Sequence, residues 1–210
     1  MEHLARKMAE SIGRSLGRSD EEIAVMAYGF IGILQFLAIF LCSLVIGILF
    51  GFWIEIVVVF LSVGFLRRFT GGAHSSGIYH CLVYSVFFVS IISAAAHYWL
   101  PLLPMPVNGV ICGAIFAFGY VMIALKAPVT PPNKPCRTEK KRKRLRRGAF
   151  LSLSLFAIFV LLTFIAQNYI SRLFTIGLSL AVSTLWQVTM MTKAGAAFVT
   201  CFDSLFMKKR

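Results

Sequence analysis

The chain has 210 residues, of which 59% are hydrophobic and 14% charged. A soluble globular domain carries about 25% charged and 45–50% apolar residues, so this composition excludes an ordinary soluble enzyme, a disordered tail and a collagenous chain. Its 21 Lys and Arg against 8 Asp and Glu give a net charge of +13, and in a membrane chain such an excess is a matter of orientation before it is one of nucleic-acid affinity.

In chain order, Met1, Leu4, Ala5, Met8, Ala9, Ile12 and Leu16 recur at helical spacing with Glu2, Arg6, Lys7, Glu10 and Arg14 on other faces. Residues 1–19 are therefore expected to form an amphipathic helix lying in the membrane interface. Asp20, Glu21 and Glu22 then place acids at a helix start, where the dipole favours them. From Ala24 to Leu66 the only charge is Glu55. At 1.5 Å per residue that stretch would make a helix about twice the hydrocarbon thickness, so it is read as two spans, 24–47 and 52–67, with a turn around Gly47, Gly51 and Trp53. Further apolar runs predict spans over 81–100, 107–125, 148–166 and 173–191, each near the ~20 residues needed to cross. The expected fold is an all-α integral membrane protein, one polytopic domain of six transmembrane helices. Ala197, Phe198, Cys201, Phe202, Leu205 and Phe206 suggest a second interfacial segment after the last span.

With the N-terminus in the cytoplasm, the inner segments hold Arg6, Lys7, Arg14 and Arg18, then Arg67 and Arg68, then the ten cations from Lys126 to Arg147, then Lys193, Lys208, Lys209 and Arg210. Only Arg172 falls outside, which is the bias the positive-inside rule describes. Both termini and the loops 67–81 and 126–147 are thus expected in the cytoplasm. The run Lys140–Arg147 lacks interleaved aromatics and reads as a topology determinant touching anionic lipid, not as a nucleic-acid patch.

Chemistry concentrates in the stretch RRFTGGAHSSGIYHC, residues 67–81. A cysteine nucleophile needs a base or a positive field, because the thiolate is the reactive species. Cys81 at the start of a helix would feel the positive end of its dipole. On one continuous helix His74 and Cys81 would share a face about 10 Å apart, too far for proton transfer. Gly71, Gly72 and Gly77 let the chain fold back instead. His74 is favoured as the base, and His80, pointing about 100° away from Cys81 on a helix, is the rival. Arg67 and Arg68 are expected as supporting cations. Between Glu55 and Glu139 there is no acid, so a third member must come from far away, be an amide or hydroxyl such as Asn133 or Thr130, or be absent.

This stretch resembles the signature of the accessory gene regulator B (AgrB) family of membrane cysteine endopeptidases, in which a His and a Cys seven positions later form the catalytic pair. Lys126-Ala127-Pro128 through Lys134-Pro135 resembles that family's cytoplasmic Ala-Pro and Lys-Pro loop, and Tyr28-Gly29 also fits. The resemblance makes Lys126, Pro128, Lys134 and Pro135 candidates for substrate contact. It implies a peptidase of the bacterial plasma membrane, without a cofactor, that removes the C-terminal part of a short propeptide with an amphipathic N-terminus. Cys81 would hold an acyl-enzyme thioester, which a side chain of the bound peptide attacks to close a thiolactone or lactone autoinducer for quorum sensing. A homodimer is implied by the same resemblance. From another class, a non-enzymatic peptide exporter subunit or channel would use the glycine-rich loop as a gating element.

Other residues carry less. Cys42 and Cys112 are expected to pack inside spans, Cys136 lacks a neighbouring His, and the spacing of His74, His80 and Cys81 fits no common zinc motif. No span contains an Asp, which excludes intramembrane aspartyl proteolysis. His97, Trp99 and Pro101 read as an interfacial aromatic belt, and Glu55, beside Trp53, as an outer-turn residue.

Overall fold

A computed structural model describes residues 1–73, 77–129, 138–167 and 171–207. They fold into helices α1 (Glu2–Ser15), α2 (Asp20–Leu49), α3 (Trp53–Thr70), α4 (Ile78–Ala94), α5 (Met105–Lys126), α6 (Glu139–Ala166), α7 (Ser171–Thr189) and α8 (Lys193–Met207). α4 runs on through a π-helical turn, Ala95–Trp99, and a 3₁₀ turn, Leu100–Leu102. Local chemistry sets the ends. At the start of α2, Ser19 and Glu22 form a reciprocal capping box: the Glu22 N–H donates to Ser19 Oγ at 3.3 Å, and the Ser19 N–H to Glu22 Oε2 at 3.1 Å.

Each of the six apolar runs is a helix, usually a few residues longer than expected. Charge alters how they relate to a membrane. Among the described residues, α2, α4 with its extension to Leu102, α5 and α6 are each long and apolar enough to cross one. A fifth crossing is obtained if α7 and α8, bent by 86° at their junction, count as one broken span. α3 does not qualify by itself, because Glu55, Arg67 and Arg68 fall within its 18 residues. The expectation of six spans is thus met as helices and not as six independently apolar crossings. The loop 126–147 is also shorter than expected, since residues from Glu139 onward already belong to α6.

The outward faces carry large apolar side chains, among them Leu41, Val45 and Ile48 of α2, Val121 and Leu125 of α5, and Leu151, Leu155 and Ile158 of α6. Patches of that extent are rare on soluble monomers and suit a lipid environment. Inside, Cys112, Ile115, Ile123, Leu153, Leu178 and Ala181 join α5, α6 and α7, while Ile39, Ile56, Val59, Phe60, Val89 and Ile92 join α2, α3 and α4. Lipid tails are as apolar as these side chains, so packing and hydrogen bonds hold the helices together, with small residues at close crossings. At Gly177 the approach is tight enough that a Cβ would lie 2.0 Å from Thr163 Oγ1.

α1 packs through Ala5, Ala9 and Gly13, and a Cβ on Gly13 would meet Ile23 Cγ1 of α2 at 2.4 Å. Leu4, Met8, Ile12 and Leu16 form its exposed stripe. The amphipathic helix expected from the sequence is present, and its small-residue face serves α2. α8 covers the residues expected as a second interfacial segment and turns 86° from α7.

Candidate active site

The site lies where α3 ends and α4 begins. Gly71 terminates α3 at φ +69°, ψ −150°, a conformation open essentially to glycine alone. Four elements hold the residues that follow. The Val129 N–H donates to Thr70 O at 2.8 Å, and the Ala73 N–H donates to Met190 O at 2.9 Å. Arg67 donates from its guanidinium to Ala73 O. Gln187 of α7, fully buried, donates from Nε2 to Thr70 Oγ1 at 2.9 Å and to Gly71 O at 2.8 Å. A Cβ on Gly71 would sit 1.9 Å from Val129 O, so only glycine admits this bridge. Gly72, at φ +134°, runs close beneath Met190 O.

On the far side of residues 74–76, Gly77 caps α4, and Cys81 stands in the first turn with its N–H donating to Gly77 O at 2.9 Å. The positive end of the helix dipole therefore acts on the thiol. Its Sγ lies 3.9 Å from Ser85 Oγ. Gln35 of α2 donates to Ile78 O at 3.3 Å and ties that helix to the same turn. Cys81, Arg67, Gln35, Ala73, Tyr84 and Ser85 line a cavity of about 270 Å³ whose remaining walls are apolar, with Phe36, Phe60, Phe88 and Trp186 the largest. The Arg67 guanidinium is close enough to interact electrostatically with Cys81 and with the Tyr84 hydroxyl. A half-buried thiol, a cation and an apolar cavity suit a nucleophile that attacks a carbonyl beside a large apolar group.

Cys81 and Arg67 are brought together as the sequence suggests. Arg68 is not part of this cavity. It lines a separate cationic pocket of about 680 Å³ with Phe69, Thr138, Lys140, Lys141, Arg144 and Leu145. The ring of His80 packs against Gly77, where a Cβ would meet Nδ1 at 2.8 Å; the described lining of the cavity includes Cys81 and not His80. Lys126 ends α5 and Pro128 follows it. His74, Lys134, Pro135 and Cys136 lie outside the described residues, as do Asn133 and Thr130.

Three expectations are corrected. Glu55 stands in the first turn of α3 as expected but is buried instead of exposed at the interface: its Oε1 is 2.9 Å from His97 Nδ1 and accepts from Thr175 Oγ1 at 2.9 Å. His97 accordingly serves as the partner of this carboxylate rather than only as part of an aromatic belt. Cys42 faces outward instead of packing inside, while Cys112 is buried. Gln187 and the buried Asp203 were not singled out from the sequence. The available signal was polarity out of place: a Gln amid an apolar run, and the one charge in the apolar stretch 194–207.

A model of the family described as accessory gene regulator B matches residues 5–191. The chain is 26% identical over 214 residues to a protein named AgrB-like from Clostridium perfringens (strain SM101), covering 99% of each chain. A second AgrB-like protein, from C. perfringens strain 13, matches with the same identity and coverage, 26% and 99%. An AgrB-like protein of Halalkalibacterium halodurans is 29% identical over 163 residues, covering 77% of this chain and 78% of its own. No solved structure matches.

Proposed function

This chain belongs to the accessory gene regulator B family, and from that premise we propose that it is a multi-pass cysteine endopeptidase of a bacterial plasma membrane that cuts a short signalling propeptide and cyclises the product. The observation that carries this reading is Cys81 itself: a thiol in the first turn of a helix, on the wall of an apolar cavity that also holds the Arg67 guanidinium.

In this reading six helices cross the membrane with both termini in the cytoplasm, which the distribution of cations supports. His74 takes the Cys81 proton. The thiolate adds to the scissile carbonyl, the C–N bond breaks as the imidazolium returns a proton to the leaving amine, and the N-terminal part stays as a thioester. A thiol or hydroxyl of the bound peptide then displaces Cys81 and closes the ring. An intramolecular nucleophile held near the thioester has a large advantage over water, and apolar walls that exclude water add to it. Arg67 offers charge to the developing oxyanion. The cationic pocket of Arg68, Lys140, Lys141 and Arg144 suits an acidic C-terminal tail on the propeptide, and lipids and a second copy of the chain are the other expected partners.

The test is cleavage of a labelled propeptide, with an amphipathic N-terminus, an internal Cys and an acidic tail, by purified protein in proteoliposomes. Cys81→Ala and His74→Ala should each abolish cleavage, and wild-type protein should yield a hydroxylamine-sensitive acyl-enzyme. Undiminished cleavage by Cys81→Ala would return the chain to the exporter or channel class.

A further inference from the structure

The cavity beside Cys81 is not shut on every side. Of the described residues that line it, three are exposed, Gly32, Phe36 and Gly64, and all three belong to α2 and α3; those from α4 and α7 are buried or half-buried. Between α4 and α7 the rings of Phe88 and Trp186 stack with centroids 4.4 Å apart. Phe36 packs on Phe60 of α3 at 4.5 Å, yet 48% of its surface stays exposed. Gly64 is one turn along α3 from Arg67. Gln35, next to Phe36, donates to Ile78 O, so the opening stands level with the start of α4, where Cys81 lies.

The two glycines do not serve close packing. Glycine weakens a helix, and in membrane bundles its usual use is to let helices approach, as at Gly177, where a Cβ would strike Thr163 Oγ1. A Cβ on Gly32 would meet nothing within 4 Å, and one on Gly64 only Phe36 Cε2 at 3.8 Å, an ordinary contact. What their missing side chains leave is space at the mouth of the cavity. The surface around that mouth is apolar, with Ile33 on α2 and Leu61 and Phe65 on α3 exposed beside it, so it faces lipid. The interior is not uniformly apolar, because Gln35, Ser85 and Arg67 stand on its wall. A lipid tail has no use for those groups, whereas a peptide entering from lipid brings N–H and C=O groups that need partners there.

We propose that the gap between α2 and α3 at Gly32, Phe36 and Gly64 is a lateral entry port, through which an extended apolar segment of the propeptide passes from lipid and lays the carbonyl of its scissile bond against Cys81. The inference rests on the peptidase reading and adds to it the substrate's route and class. That class is a segment already resident in the membrane, with a large apolar side chain on the acyl side of the cut, in preference to a peptide free in water. The Phe36 ring, seated on Phe60 and beside Gly64, narrows the opening, so side-chain size at these three positions sets access to the thiol.

The test uses the full chain in lipid nanodiscs, which leave both faces open to water, and two maleimides: an N-dodecyl maleimide that partitions into lipid and a sulfonated one confined to water. Alkylation of Cys81 is read at its peptide by mass spectrometry. Both reagents consume the thiolate, so the ratio of their rates cancels any change in thiolate fraction, and it needs no substrate. Gly32→Leu and Gly64→Leu should each lower the ratio of lipid-borne to water-borne rate about tenfold, and Phe36→Ala should raise it. KM for a membrane-bound propeptide should rise severalfold in the two leucine variants. A ratio unmoved in all three variants overturns the port, as does an equal fall in both rates, which would mean that leucine merely crowds the thiol. A ratio that falls while KM stays at the wild-type value overturns the peptide as occupant and leaves the opening to lipid. Cys81→Ala is the separate control: undiminished cleavage by that variant sinks the peptidase reading, while the alkylation ratio at the native thiol still reports on the port.

Discussion

Gln187→Leu separates activity from stability. The amide makes two hydrogen bonds, at 2.9 Å to Thr70 Oγ1 and 2.8 Å to Gly71 O, each worth about 1 kcal/mol net. Its own Oε1 is buried without a partner among the described residues, a penalty of about 1–3 kcal/mol. Leucine removes both at nearly constant volume. Thr70 Oγ1 loses a donor but keeps its own proton shared between Leu66 O at 3.0 Å and Gly71 O at 3.2 Å, so neither acceptor is stranded without a partner. The two contributions nearly cancel, leaving the variant within about 1 kcal/mol of wild type, a Tm change of no more than about 4 °C. Cleavage should suffer far more, since the tie between α7 and the loop root is gone and a misplacement of about 1 Å can cost on the order of 100-fold. Thermal unfolding in detergent and propeptide cleavage in proteoliposomes, on the same preparation, measure the two effects. A Tm drop above about 10 °C in step with the lost activity, or full activity at unchanged Tm, would refute the reasoning.

Gly71→Ala should yield inactive protein, because its Cβ would overlap Val129 O at 1.9 Å; cleavage at wild-type rate would mean the bridge is dispensable. Gly32 lines the cavity, and a Cβ there meets nothing within 4 Å, so Gly32→Leu should fill the cavity without disturbing α2. KM should rise severalfold while Tm stays within about 2 °C, and unchanged kinetics would exclude the cavity as a substrate pocket. Thr175→Val removes one of the two polar contacts to Glu55 Oε1, at a cost of about 1 kcal/mol read as a lower Tm, with kcat retained in the folded protein because Glu55 and Cys81 lie at opposite ends of the bundle. Replacing Lys140, Lys141 and Arg144 together by Gln should weaken propeptide binding and flatten its salt dependence; unaltered affinity at two salt concentrations would remove the cationic pocket from substrate recognition.

Helix positions were legible because a chain segment in lipid must be apolar along its length, and α2, α5 and the apolar part of α6 advertise that directly. Rotation about each helix axis was not, since a face toward lipid and a face toward protein are equally apolar. Cys42 and Cys112 look alike in sequence, yet one is exposed and the other buried. The same blindness hid Glu55, whose partners His97 and Thr175 come from 42 and 120 positions away. Cys81 and Arg67 were readable because the glycine-rich link between them is local. Gln187 bonds Thr70 and Gly71 from 117 and 116 positions away, a pairing that no periodicity announces.

The bridge between Gly71 and Val129 is made by backbone atoms on both sides. It imposes opposite rules on its two positions across evolutionary drift. At 71 a single methyl group is forbidden; at 129 the contact uses only the peptide N–H and carbonyl and is indifferent to the side chain. Descendants of this sequence should keep the glycine while residue 129 wanders, so two partners in one contact would show no covariation. A contact map inferred from paired substitutions would leave the root of the glycine-rich loop blank where the structure has its closest approach.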